Sequence, residues 1–475
     1  MSTAKTDGII SGLPRLPRPG SAKAISNSAV KTSSQETASS TGAPTTRSES
    51  SPRALCQYDV RLVMYSLRRF NEPRFERLDA IIDSLNEHLT DYIQLVGSAT
   101  LPLPEVCAMA ALPASAVRVE GHLQERYFPA SEPVDLAERI IEEETRRIFS
   151  IGDEYQISAQ PHSATQANQA VYRSILGDGV GKVAALSPQD GGHYSFSAGV
   201  PPPHEFVPLP ISEAGLDYDE VSDTVRQTEP TIIVAGGSAY SRAIDFAELR
   251  AIADQVGAHL HADLAHCAPF VAAGLHPPAF GHVDSAAIDP SKNLRGAGGG
   301  ILVFRDRDAK AMREAIFPLL QGSPSQLGLL AKAACMTAWT LDDLTQYASR
   351  MIEVAQLLGE QISTLLGEPE YGGTDSHLLL FDVSDCCENG RIAEDRLRAS
   401  RILVNRNQIP NDVKPPWETS GIRLSSTVPT ILGYSDAGVV ALGEAICTVL
   451  ADSSDRSGTV DDLLERFHRP LSTVT

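Results

Sequence analysis

The chain has 475 residues, 42% of them hydrophobic and 21% charged, enough apolar material for more than one core at ~150 residues per domain. Its 40 Lys and Arg against 60 Asp and Glu give a formal charge of −20, which opposes broad attraction to nucleic-acid backbones or anionic lipid. No apolar run approaches the ~18 residues of a bilayer span, and the first residues lack the apolar core of a secretory signal, so a non-secreted, cytoplasmic protein is expected.

From Met1 to Gln57 there is no aromatic residue and Ser, Thr, Ala, Gly and Pro dominate, which predicts a disordered tail. Lys5, Arg15, Arg18, Lys23, Lys31, Arg47 and Arg53 outnumber Asp7, Glu36 and Glu49, so an organelle transit peptide is the alternative to a plain tail. An N-terminal helical arm is expected over 58–100, a large domain over 101–345, a smaller C-terminal α/β domain over 346–452, and a second tail over 453–475. Within the large domain, short apolar runs alternate with helical patterns, the signature of a mostly parallel sheet covered on both faces. Candidate strands are Val183–Leu186, Thr231–Val234, His259–Ala262, Ser285–Ile288 and Ile301–Phe304. Leu249, Ile252, Ala253 and Val256 share one helical face, with Gly257 as the stop. From about Gln346 the pattern changes to a long helix, a strand His377–Val383 and a final helix Ala437–Leu450. The seven cysteines, Cys56, Cys107, Cys267, Cys335, Cys386, Cys387 and Cys447, form no CxxC pair. They read as reduced core residues, and no metal site is expected.

Ligands of open parallel sheets bind beyond the carboxyl ends of the strands, so polar residues there are the first candidates for chemistry. The run Gln160-Pro161-His162-Ser163-Ala164-Thr165-Gln166-Ala167-Asn168 opens a helix whose free N–H groups suit a phosphate, although capping alone explains it as well. Asp263 directly follows the strand His259–Ala262, where it either caps a helix or holds a proton on a cofactor's ring nitrogen. Lys292 follows the strand Ser285–Ile288, and a desolvated lysine at a strand end can form an imine. Asp263 and Lys292 at one sheet edge together suggest pyridoxal phosphate. Arg423, in Thr419-Ser420-Gly421-Ile422-Arg423, offers a guanidinium fork for an α-carboxylate.

In order and content these segments resemble the serine (glycine) hydroxymethyltransferase family of fold-type I pyridoxal-phosphate enzymes, from about Leu78 to Ala451. The most specific blocks are Gln160 to Asn168, Gly237-Ser238-Ala239-Tyr240-Ser241, Asp263-Leu264-Ala265-His266 through Pro277, and Thr419 to Arg423. The resemblance implies an α/β fold with a large, mostly parallel sheet domain and a smaller C-terminal domain. It implies that Lys292 carries the cofactor, that Asp263 partners the pyridine nitrogen, and that His193 stacks on the ring. Ala164, Thr165 and Asn168 would bind the cofactor, with Ser238 and His266 beside its phenolic oxygen and the substrate carboxylate. Ser98 and Arg423 would grip that carboxylate, and Glu120 would handle the β-hydroxyl proton with Tyr127 nearby. Glu120, Tyr127 and the Gln321-Gly322 loop would reach a neighbouring subunit's site, so a homodimer, or a dimer of dimers, is expected.

Several positions depart from the family pattern. A tyrosine pair after Arg126 is here Tyr127-Phe128, Arg118 replaces a phosphate-binding tyrosine, and Ser291 stands where an imidazole precedes the lysine. In the folate pocket, Pro188 and Tyr194 replace leucines, while Asn407 matches the residue that bonds the pterin. These departures favour an aldolase or transaldolase that acts on a serine- or threonine-like amino acid and an aldehyde. The alternative is folate-dependent hydroxymethyl transfer between serine and glycine. Neither reading calls for nucleic acid or a membrane.

Overall fold

The computed structural model describes residues 73–177, 179–199, 203–451, 460, 461, 463 and 464; the tail expected over 1–57 and most of 453–475 lie outside them. After helix α1 (Glu76–Asp91), the short strand Ile93–Gln94 pairs in parallel with Ile402–Leu403, tying the arm to the C-terminal region. That two-residue pairing has no period in the sequence to announce it. Among the described residues no helix is long and apolar enough to cross a membrane.

A seven-stranded sheet forms the centre. Its strands are β1 (Tyr155–Ser158), β2 (Lys182–Ala185), β3 (Glu205–Pro208), β4 (Ile232–Ala235), β5 (His259–Asp263), β6 (Ser285–Ile288) and β7 (Ile301–Arg305), in the order β1-β7-β6-β5-β4-β2-β3. Only β7 is reversed, antiparallel to both β6 and β1. The segment between β6 and β7 contains no crossover helix, so the chain turns straight back, which an antiparallel pair permits and a parallel pair does not. The five strands anticipated from sequence are present, with ends displaced by at most one residue.

Alternation along the strands covers both faces of the sheet. On β4, Ile233 and Ala235 enter one apolar cluster while Ile232 and Val234 enter another; on β6, Ala286 and Ile288 face one side and Ala287 the other. Helices α2 (Glu132–Phe149) and α4 (Phe246–Asp254) contribute to the first cluster, and α3 (Ala164–Leu176) to the second. Strand β5 departs from this rule: Leu260 and Ala262 join the first cluster, but the opposite face presents His259, His261 and Asp263.

A third cluster surrounds the antiparallel strands β8 (Leu378–Asp382), β9 (Asn405–Asn407) and β10 (Gly421–Ser425), in the order β8-β10-β9. Helix α5 (Gln326–Ala338) precedes α6 (Leu341–Leu366), whose Leu344, Tyr347 and Met351 sit in the first cluster and whose Val354, Leu358 and Ile362 sit in the third. The division expected at 345/346 thus falls inside a helix that belongs to two cores. Helices α7 (Gly390–Ala399) and α8 (Asp436–Ala451) complete the third cluster.

Candidate active site

The carboxyl edge of β5 and β6 gathers most of the predicted site residues, because parallel pairing sets Asp263 beside Ala287 and the chain leaves β6 at once for the turn that bears Lys292. Asp263 is buried. One of its oxygens accepts the Ala265 N–H at 3.0 Å and the other accepts the Asn168 side-chain amide at 2.8 Å. The carboxylate therefore serves the local turn with one oxygen, and it has no ion pair among the described residues. A buried carboxylate with only neutral donors is costly unless a cation completes it, and a protonated ring nitrogen is such a cation. That donor set fits the pyridine nitrogen of pyridoxal phosphate.

The Lys292 ammonium lies 4.0 Å from an Asp289 oxygen, with 16% of its side chain exposed. Asp289 also accepts the Ser291 hydroxyl at 2.6 Å, so Ser291 is committed to the turn. His193 packs close by: its ring nitrogen Nδ1 lies 2.8 Å from the Ser195 hydroxyl, which in turn accepts from Asn168 at 2.9 Å. Burial lowers the His193 pKa, and the charges of Asp263, Lys292 and Arg423 all act on it, which places these four groups around one space.

The helix start expected after Gln160 is α3. Ser163 is its N-cap, accepting the Gln166 N–H at 3.1 Å, and the Gln166 side chain accepts the His162 N–H at 2.6 Å. Capping uses one Ser163 lone pair and leaves its hydroxyl proton, with the first amides at Ala164 and Thr165, for an anion. Gly300 lies against this turn so closely that a Cβ there would stand 2.5 Å from the Ser163 carbonyl oxygen.

Arg423, on β10, is buried, and burial lowers its pKa to about 10. Its guanidinium donates to Asn405 at 3.1 Å and to the Ser238 backbone carbonyl. Ser98 is exposed and follows Gly97, where a Cβ would overlap the Arg423 guanidinium. A cavity of about 210 Å³ joins His193, Ser238, Asn407 and Arg423, with Pro188 and Tyr194 at its wall. Pro188, Tyr194, Gln408 and Pro416 also line an adjoining hollow of about 540 Å³, with Lys414 among its lining.

His266 is buried and stacks on His377 at a ring-centre distance of 5.5 Å. Burial, then the Lys292 charge, holds its pKa well below the usual histidine value. Asn293 donates to the His266 carbonyl at 2.6 Å and accepts the Thr427 hydroxyl at 3.0 Å. His377, Asn293 and Thr427 are not among the site residues that the sequence predicts; the adjacency of Asn293 to Lys292 is the one signal for any of them.

A second group is held elsewhere on the same chain. Glu120 lies 3.4 Å from the Ser323 hydroxyl, Gly322 lies beside it, and Tyr127, 74% exposed, tilts on Phe317 at 5.7 Å. The turn after Glu120 is fixed from below. Arg126 donates to the Gly121 carbonyl and pairs with Asp135 at 2.8 Å and Glu138 at 2.7 Å, while Gln160 donates to Gly121 at 3.1 Å. Burial raises the Glu138 pKa, and Arg126 opposes that rise. The sequence reading missed this support, because Arg126, Glu138 and Gln160 lie far apart in the chain.

A profile of the serine hydroxymethyltransferase family matches residues 74–446. The chain is also similar to the serine hydroxymethyltransferase of Halorhodospira halophila, with 32% identity over 402 residues, covering 82% of this chain and 96% of that protein. A buried carboxylate awaiting a cation, a lysine one strand away and a helix start with spare donors thus coincide with a match along nearly the whole described length. The chain belongs to the serine hydroxymethyltransferase family and is a fold-type I, pyridoxal-phosphate-dependent transferase.

Proposed function

We propose that this protein makes and breaks the Cα–Cβ bond of a β-hydroxy-α-amino acid, and that it moves the hydroxymethyl group of serine to tetrahydrofolate, leaving glycine. The observation that carries the reading is the cleft: it has Arg423 at its inner end, passes Asn407, and opens past Tyr194 into a hollow that reaches Lys414. Two joined hollows, one lined by Arg423 and the other by Lys414, suit an acceptor with an acidic tail beyond a small carboxylate-bearing donor.

When bound, pyridoxal phosphate supplies an electron sink for the pair released as the Cα–Cβ bond breaks. Asp263, steadied by the Asn168 amide, would hold the proton on the ring nitrogen, Lys292 would hold the cofactor between turnovers, and His193 would pack against the ring. The Ala164 and Thr165 amides would receive the phosphate, joined in a homodimer by the partner subunit's Gly322, while Ser238 and His266 would border the phenolic oxygen. Arg423 and Ser98 clamp the substrate α-carboxylate, which fixes the scissile bond relative to the ring. Glu120 takes the β-hydroxyl proton, with Tyr127 beside it, and in a homodimer both act in the neighbouring subunit's site. The exposure of Tyr127 supports that arrangement.

A second reading has its own support. Phe128 carries no phenol, and the Ser291 hydroxyl is tied to Asp289, so two groups that would assist transfer to folate are missing. An aldehyde would then be the acceptor, as in an aldolase or transaldolase. Purified holoenzyme given serine with tetrahydrofolate, and separately threonine with an aldehyde, separates the two. Glycine formation that needs the folate supports the first reading; glycine or a new β-hydroxy amino acid formed without it replaces the first with the second.

A further inference from the structure

Polar side chains on the inner face of a central strand are expensive, yet β5 carries three at alternate positions where β2 and β4 carry Val, Ile and Ala. They form one connected chain. The His259 Nε2 lies 2.8 Å from the Ser285 hydroxyl, which lies 2.8 Å from the His261 Nδ1. The His261 Nε2 lies 2.9 Å from the Asn168 Oδ1, and the Asn168 amide donates to Asp263 at 2.8 Å. Parallel pairing puts His261 directly beside Ser285, so the register of β5 and β6 builds the link.

Every donor in this chain points the same way. A carboxylate oxygen only accepts, so Asn168 must turn its NH₂ toward Asp263 and its oxygen toward His261. His261 must then carry its proton on Nε2, leaving Nδ1 bare. Burial holds His261 neutral, pushing its pKa down to about 4, and so excludes a second ring proton. Ser285 therefore donates to His261 and accepts from His259, which in turn is held neutral by burial at about 3. The run crosses the sheet from its amino edge and ends on the carboxylate.

We propose that His259, Ser285 and His261 are positioning residues: with Asn168 they form a one-directional hydrogen-bond relay that orients the Asp263 carboxylate toward the cofactor's ring nitrogen. The role rests on the functional reading above, in which Asp263 meets that nitrogen; the relay itself does not. An apolar pair at His261 and Ser285 would fill the same layer without fixing the Asn168 amide, so the Asp263 oxygens would lose their orientation as well as a donor.

Two measurements test this. In apoprotein labelled with ¹⁵N-histidine, His259 and His261, assigned through single substitutions to Gln, should both be neutral Nε2–H tautomers at pH 7. In holoenzyme, Ser285→Ala and His261→Phe should lower kcat about tenfold with KM for the amino acid within about twofold. The same variants should shift the ¹⁵N resonance of a labelled cofactor ring nitrogen, and His261→Gln, which restores a donor to Asn168, should recover part of both losses. An Nδ1–H tautomer at His261, or a Ser285→Ala enzyme with unchanged kcat and ring-nitrogen resonance, overturns the relay. Wild-type protein that develops no absorbance of lysine-bound cofactor overturns the functional reading instead, whatever the apoprotein tautomers are.

Discussion

Two buried carboxylates sit at opposite edges of the same sheet and are treated in opposite ways. At the amino edge, Asp284 accepts the Leu260 N–H at 2.8 Å and pairs with Arg250 at 2.8 Å, Arg305 at 3.6 Å and Arg307. At the carboxyl edge, Asp263 receives only an amide side chain and a backbone N–H. The first carboxylate is saturated by the fold and holds the edge together. The second has capacity left over, and the Lys292 charge and the His193 ring share its surroundings. Surplus charge inside a folded protein marks chemistry more reliably than charge that is already neutralised.

The comparison breaks first at Lys292. Lys292→Ala should remove the visible absorbance of lysine-bound cofactor and cut turnover on the order of 10³-fold or more. A variant that keeps both would show that the carboxyl edge is no more reactive than the amino edge. Arg423→Ala should raise the KM for the amino acid by roughly 30-fold or more, because a buried charge-assisted pair is worth about 2–5 kcal/mol. Arg423→Lys should recover little of it, since the ammonium lacks the fork. An unchanged KM would leave Arg423 as a support for Ser238 and Asn405 alone.

Asp284→Asn sharpens the same contrast from the other side. Removing one partner of a buried pair costs about 3–5 kcal/mol, and because Arg305 and Arg307 reach solvent the expected loss is about 2–3 kcal/mol in urea unfolding. Cofactor binding should persist. Burial by itself would raise the Asp284 carboxyl, but the Leu260 amide and the Arg250 charge hold it below the ordinary value. Its contribution is therefore complete above the unfolded value of about 4 and is lost as the pH falls through the lowered folded value. The stability gap between wild type and Asp284→Asn should close on acidification. A gap that widens would mean that the arginines do not govern this carboxylate.

The difference between the edges was partly legible before the fold was known. Strands such as Ile301–Phe304 announce themselves because both faces are covered and the run is apolar throughout, and Asp263 and Lys292 stand out by following predicted strands. The polar alternation His259, His261, Asp263 is equally visible in the sequence but assigns no role, because a histidine in a strand carries none until its neighbour Ser285 is known. The reversed β7 was not legible, since an apolar run has no direction. Nor was the support of Glu120 by Arg126, Glu138 and Gln160, whose spacing reflects tertiary folding alone. The same holds for α6, where a single 26-residue helical period spans two cores.

Ser163 gives the smallest effect and separates two explanations that sequence left equal. As the N-cap of α3 it satisfies the Gln166 amide, so Ser163→Ala should cost about 1 kcal/mol in apoprotein unfolding whether or not a phosphate ever binds there. Ser163→Asp divides the cases. Aspartate caps as well as serine and its charge favours the positive end of the helix, so the apoprotein should regain its stability. If the same helix start also receives the cofactor phosphate, that added negative charge stands against two like charges, and cofactor affinity should fall even as the apoprotein recovers. Apoprotein unfolding and cofactor titration then move in opposite directions, which capping alone cannot produce. Aspartate that restores stability and leaves cofactor affinity intact would move the phosphate away from Ala164 and Thr165.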